Sequence, residues 1–175
     1  MVNELAIKIN EVVWSTNAES DNLESLLYYI EEQTRKQFEY STISFEASIP
    51  QDIPDFVVSS QSRRNCYLIV KEIAHNTLKH SKGNKVKLKI AVQDGCIIFT
   101  IKDNGIGFDP SATKINSMGL ANVKLRIEKL NGNLVIENYK GTVISISIPL
   151  EDNIMPGFKP IANKWKFWNK TAVLN

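Results

Sequence analysis

The stretch from Lys85 to Ile101 constrains this chain more than any other. Val86, Leu88, Ile90 and Val92 alternate with Lys85, Lys87 and Lys89, so one face of this strand is apolar and the other carries ammonium groups. Asp94-Gly95 marks a tight turn, and Ile97 to Ile101 supplies the return strand. An antiparallel pair of this kind tolerates water on its charged side. Helices must then cover the other side. Ile43, Phe45, Ala47 and Ile49 give a further half-buried strand, and Leu134–Asn138 with Val143–Ile148 give a last hairpin turning near Lys140-Gly141. The expected fold is α+β: a two-layer α/β sandwich with a mixed, mostly antiparallel sheet covered on one face by helices.

The helical spacings agree. Leu23, Leu26, Leu27 and Ile30 stripe a helix from about Asp21 to Tyr40, with Asp21 as its cap and Glu24 completing a capping box. Cys66, Ile69, Ile73 and Thr77, flanked by Val70, Ala74 and Leu78, mark one face of a long helix from about Ser60 to His80. Gly83 is expected to end it in a left-handed conformation. A third helix resumes near Gly119, turns Leu120, Val123, Ile127 and Leu130 inward, and closes at Asn131-Gly132. Leu5, Ile9 and Val12 read as the end of another helix, broken at Ser15-Thr16-Asn17.

Hydrophobic residues at 43% and charged residues at 23% allow a core without disulfides. Cys66 and Cys96 lie in apolar periodic stretches without metal-ligand spacing, so buried thiols are expected. A net charge of +2 is far from the basic stripe of a nucleic-acid binder, and no direct nucleic-acid contact is expected. No signal peptide is evident, and no apolar run approaches the ~18 residues of a membrane span. The expected location is cytoplasmic, which is compatible with a membrane-anchored parent protein. In residues 151–175, Lys159, Lys164, Lys166 and Lys170 interleave with Phe158, Trp165, Phe167 and Trp168. A surface-binding tail and a strap docked on the domain both fit that pattern.

Three segments carry candidate chemistry. In the first, Glu72, Asn76, Lys79 and His80 fall on neighbouring helical positions. A carboxylate, an amide oxygen and two nitrogen groups along one face can organise a metal and phosphates; a solvated amphipathic face has the same pattern. In the second, Asp103-Asn104-Gly105-Ile106-Gly107 follows an apolar strand. A carboxylate there can accept from the exocyclic amine of adenine, and the glycines permit close ligand approach. In the third, Ser117-Met118-Gly119-Leu120 enters a helix, whose first amides form an anion site.

In this order the segments resemble those of the GHKL ATPase superfamily, specifically sensor histidine kinases. Glu72 to Ser81 is similar to the N box, Asp103-x-Gly105-x-Gly107 to the G1 box, and Gly119-Leu120 with Asn122 and Arg126 to the G2 box and its helix. Gly141-Thr142 is similar to the terminal glycine-threonine element beside the adenine pocket. The resemblance covers roughly residues 20 to 150 and implies a Bergerat-type sandwich binding ATP and Mg²⁺. It implies that Asn76 ligates Mg²⁺, Lys79 and His80 sit by the phosphates, and Glu72 assists catalysis. It places Asp103 and Thr142 at adenine, Gly105 and Gly107 at the pocket floor and lid hinge, and Ser117, Met118, Gly119 and Leu120 at the phosphates. Residues 108–118 would form the ATP lid. Ser117 replaces a glycine common in relatives, and Asn104 replaces a second acidic residue.

The two histidines, His75 and His80, both lie in the N-box segment, and neither sits in a dimerisation-helix motif. The phosphoacceptor histidine is therefore expected outside this chain, which would be a fragment of a longer protein. The implied organisation is 1–20, end of a dimerisation helix and linker; 21–150, ATPase domain; 151–175, tail. The implied partners are the dimerisation and phosphoacceptor domain of the same kinase, in a homodimeric parent, and a response regulator. An anti-sigma-factor-type serine kinase and a non-enzymatic nucleotide-binding scaffold are the alternatives. A topoisomerase- or chaperone-type hydrolase would need a longer lid and a transducer domain, for which the chain has no room.

Overall fold

The computed structural model describes residues 13–14, 21–107 and 118–150. Among these, β1 (Ser44–Ser48), β2 (Lys85–Gln93), β3 (Cys96–Asp103), β4 (Asn133–Asn138) and β5 (Thr142–Pro149) form one sheet in the order β1-β2-β3-β5-β4. β1 runs parallel to β2, and the other neighbours are antiparallel. A parallel pair needs a long crossover. Helix α2 (Ser60–His80) supplies it, beside α1 (Leu23–Phe38) and α3 (Met118–Lys129). The mixed, mostly antiparallel α+β expectation is met.

The alternation sets which face is covered. Val86, Leu88 and Ile90 of β2, and Ile97, Phe99 and Ile101 of β3, are buried with Ile146 and Ile148 of β5. They meet Leu23, Leu26, Leu27 and Ile30 of α1 and Cys66, Ile69, Val70 and Ile73 of α2, all at most 1% exposed. Lys87 and Lys89 stay exposed on the opposite face. There Glu46 of β1 bridges Lys85 (2.5 Å) and Lys87 (2.9 Å). The two ammonium groups hold its carboxyl down at about 2.

Turn chemistry fixes the register. Asp94 and Gly95 both have positive φ, at 51° and 70°, as a two-residue hairpin turn requires. Asn131 (φ 50°) ends α3: its N–H donates to Glu128 O and that of Gly132 to Ile127 O, the paired bonds of a Schellman stop.

Three local expectations are corrected. The cap of α1 is Asn22, whose Oδ1 accepts from Ser25 N at 2.7 Å, rather than Asp21 with Glu24. Backbone bonds Leu23 N to Phe56 O and Val58 N to Asp21 O hold residues 21–23 against the loop before α2, which delays the helix by one residue. Asp21 pairs instead with Arg63. The left-handed residue after α2 is Lys82 (φ 53°), not Gly83. Gly83 is small for another reason: a Cβ there would lie 2.6 Å from Asn104 Oδ1 and 2.8 Å from Gly105 N. Cys66 is buried as expected, and its thiol is pushed up to about 12 by loss of water, whereas Cys96, at the start of β3, is only half-buried.

Candidate functional site

The buried row on β3 ends in a charge. Ile97, Phe99, Ile101 and Asp103 share one phase of the strand, so the pleat turns Asp103 toward the helix-covered side. Asp103 is 4% exposed. Its Oδ1 accepts from Gly105 N at 2.8 Å and Thr142 N at 3.3 Å. Both bonds use one oxygen; Oδ2 accepts no hydrogen bond among the described residues. Thr142 is itself buried at the start of β5. Gly141 (φ 119°) precedes it and packs directly on this strand end: a Cβ there would lie 2.1 Å from Asp103 O.

The glycine loop after Asp103 is stitched to the end of α2. Ile106 N donates to Ser81 O at 2.8 Å. Gly105 lies so close that a Cβ would sit 1.9 Å from the same carbonyl oxygen. Ser81 is buried, and its N–H continues the helix to Thr77 O. Gly107 has φ 84°, so its backbone angle requires glycine.

At the other end of this row, Glu72 faces the start of α3. A Cβ on Gly119 would lie 2.0 Å from Glu72 Oε1, so the first turn of α3 rests against this carboxylate. Between the two ends lies Asn76, half-buried, one turn beyond Glu72 on the same face of α2. Lys79 and His80 follow in the last turn, both exposed. From Glu72 to Ser81 the helix rises about 14 Å. The structure thus brings Glu72, Asn76, Gly119, Asp103, Gly105 and Thr142 along one track. Leu120 follows Gly119 in the first turn of α3, half-buried. Met118 opens that helix. Of the expected lid over 108–118, residues 108–117, Ser117 included, lie outside the described residues, as do residues 1–12, 15–20 and 151–175. A small cavity, about 30 Å³, is lined by Phe56, Cys66, Ile97, Leu130 and Ile148 among others. It lies at the opposite end of β3 from Asp103 and takes no part in this track.

Sequence reasoning missed two supports. Asn104 is more than a neutral replacement. Its Oδ1 accepts from Asn84 N (3.0 Å) and Lys85 N (2.9 Å), and its Nδ2 donates to Asn84 Oδ1 (2.8 Å). It clamps the glycine loop to the entry of β2. Arg126 Nη1 donates to Asn65 Oδ1 at 2.9 Å, with Asn65 buried, and so docks α3 on α2. An Asn before a glycine reads equally well as a turn residue, and an Arg-Asn pair on separate helices has no local spacing to reveal it.

Comparison with known proteins bears on the family and the fold. Residues 61–152 match the family described as histidine kinase-, DNA gyrase B- and HSP90-like ATPase. The chain is 43% identical over 86 residues to the signal transduction histidine-protein kinase/phosphatase DegS of Brevibacillus brevis, covering 48% of this chain and 22% of that protein. It is 30% identical over 104 residues to the sensor histidine kinase LiaS of Bacillus subtilis, covering 58% and 29%. The matched parts therefore span under a third of these relatives. Among solved structures, the blue-light activated histidine kinase of Erythrobacter litoralis aligns with TM-score 0.64 at 20% identity, over 85% of this chain and 54% of that one. The histidine kinase AdeS of Acinetobacter baumannii aligns with TM-score 0.58 at 15% identity, over 86% and 81%. At such identities the structural likeness bears on the fold alone.

Proposed function

Because the chain belongs to the histidine kinase-, DNA gyrase B- and HSP90-like ATPase family, we propose that residues 21–150 are the ATP-binding catalytic body of a sensor histidine kinase. It presents Mg²⁺-ATP to a histidine supplied from outside this chain. The observation that carries this reading is the track along α2. Gly105 is pressed against Ser81 O at one end, Gly119 lies against Glu72 at the other, and Asn76 lies between. A purine fits at the Asp103 end, where Oδ2 can accept from its exocyclic amine. The triphosphate then runs toward the first amides of α3, which favour anions.

The residues present also suit Mg²⁺. Among the described residues no three His, Cys, Asp or Glu side chains gather into a metal cage. A nucleotide-bound Mg²⁺ does not need one, because phosphates and waters fill most of its positions. The Asn76 amide oxygen beside the Glu72 carboxylate is a suitable donor set. When bound, the ion neutralises phosphate charge. The chain's own contribution is positioning: Asp103 and Thr142 orient the base, Gly119 and Leu120 offer amides to the phosphates, and Lys79 and His80, exposed in the last turn of α2, add donors where the nucleotide leaves the Asp103 end. Glu72 can orient the incoming acceptor. The acceptor imidazole nitrogen forms a bond to the γ-phosphorus as the bond to the β,γ-bridging oxygen breaks, and ADP leaves with that electron pair.

In this reading residues 1–20 lead in from a dimerisation helix and residues 151–175 form a tail. The partners are the phosphoacceptor domain of the same homodimeric kinase and a response regulator, and the site is cytoplasmic. No helix among the described residues is long and apolar enough to cross a membrane. Titration calorimetry with a non-hydrolysable ATP analogue tests the proposal. Binding is expected to require Mg²⁺, and Asn76→Ala to remove most of that requirement. Asp103→Asn is expected to weaken binding by roughly ten- to a hundredfold, the worth of a hydrogen bond to a charged acceptor. An unmodified chain that takes up no nucleotide in the presence of Mg²⁺ would end the proposal.

A further inference from the structure

Glu72 stands beside the amides that are to receive an anion, and it is itself an anion. A Cβ on Gly119 would lie 2.0 Å from its Oε1 and 3.1 Å from its Cδ, so the carboxylate rests on the first turn of α3 with no side chain between. The contact is held in register. Seven residues away along each helix, in opposite directions, Arg126 Nη1 donates to Asn65 Oδ1 at 2.9 Å. These two rungs, about 10.5 Å apart, fix α3 antiparallel against α2. Val123, 1% exposed, lies between them on α3. A slip of α3 by one residue, about 1.5 Å, would break the Arg126 rung and lift Gly119 off Glu72.

No local cation cancels the carboxylate. None of the ion pairs among the described residues involves Glu72. Lys71 Nζ lies over the Tyr67 ring at 5.6 Å, Arg126 is taken by Asn65, and Lys79 stands about two turns further along α2. Glu72 is half-buried, so water and salt screen it incompletely. A bare triphosphate entering the first turn of α3 meets this charge directly. It is more negative than its Mg²⁺ complex by the charge of the ion. Repulsion of that excess by a half-buried carboxylate a few ångströms away is worth about tenfold or more in affinity.

We propose that Glu72 is a charge filter that admits the nucleotide only with its metal ion. Asn76, one turn along the same face, attracts the loaded form; Glu72 repels the bare form. Discrimination of this kind needs a repulsive element as well as an attractive one. The Asn65–Arg126 rung keeps α3 seated on the carboxylate, so phosphates cannot reach the first amides of α3 without passing it. The filter rests on the kinase reading above, and it deepens the role of Glu72 in that site.

Titration calorimetry on the 175-residue chain tests it, with the non-hydrolysable ATP analogue in Mg²⁺ and again in EDTA. Glu72→Gln keeps the shape and removes the charge. Its metal-free affinity is expected to rise about tenfold or more over that of the unmodified chain, with a smaller change in Mg²⁺. A metal-orienting role alone would weaken binding in Mg²⁺ and leave the metal-free affinity unchanged. A merely structural role would weaken both. Either pattern overturns the filter, as does metal-free binding that stays below detection in both proteins. If Glu72→Gln does not fold, Glu72→Ala removes the charge together with the volume and is judged by the same rise. An unmodified chain that binds the analogue in Mg²⁺, beside a variant with no metal-free gain, ends the filter alone. An unmodified chain that binds no analogue even in Mg²⁺ ends the kinase reading and the filter with it.

Discussion

Gly105→Ala isolates the contact between the glycine loop and α2. Gly105 is not among the glycines with positive φ, so alanine meets no backbone-angle penalty there. It meets Ser81. The new methyl would lie 1.9 Å from Ser81 O, 2.5 Å from Ser81 C and 3.0 Å from Asp103 Oδ1. Two of these are backbone atoms at the end of a helix and cannot rotate away. The loop must retreat by more than an ångström, which breaks the Ile106 N to Ser81 O bond and strains the Gly105 N to Asp103 Oδ1 bond. One backbone hydrogen bond is worth about 1 kcal/mol net, and overpacking adds about 1–3 kcal/mol. The expected loss is therefore about 2–4 kcal/mol, or roughly 6–15 °C in Tm for a domain of this size. Because Asp103 shifts with the loop, nucleotide affinity is expected to fall by roughly a hundredfold even at temperatures where the variant is folded. Thermal melting and titration calorimetry on the same preparation read both effects. A variant that melts with the unmodified chain and binds nucleotide equally well would refute the steric reasoning and the placement of this loop.

Other substitutions and conditions probe separate parts of the molecule. Asn104→Ala is expected to cost about 1–2 kcal/mol by removing its three bonds to Asn84 and Lys85, while Asn104→Asp keeps both acceptor bonds and costs less; chemical denaturation measures the difference. Cys66 is expected to resist thiol reagents at pH 8 while Cys96 reacts, since burial keeps the Cys66 proton on to about 12; peptide mapping after brief alkylation shows which thiol was modified. Glu46 has its carboxyl lowered from 4.5 to about 2 by Lys85 and Lys87, so its stabilisation is present above pH 4.5 and is lost as pH falls toward 2. Glu46→Gln should therefore flatten the stability profile within that window, slightly, because the pair is solvent-exposed; acid titrations of both proteins monitored by circular dichroism would show it.

Much of the site could be read before the fold was known, because its residues sit in periodic elements. The 60–80 helix holds Glu72 and Asn76 a turn apart whatever surrounds them, and the strand alternation turns Asp103 to the same side as Phe99 and Ile101. The capping of α1 was harder. Asp21 and Asn22 are both good caps, and the choice went to the residue that the loop before α2 leaves extended, with Asp21 taken by Arg63. The small size of Gly83 was legible, but its cause was not: what it avoids is Asn104, on a different element.

The sequence by itself determined the open, lysine-bearing sheet face, the helical row of polar groups and the carboxylate that ends the buried strand, since each follows from the pitch of one element. Only the tertiary structure decided that Gly105 would press on Ser81 and that Gly119 would rest on Glu72. Those contacts join separate elements. Their geometry depends on how whole helices and strands dock through the shared core, which no local spacing encodes.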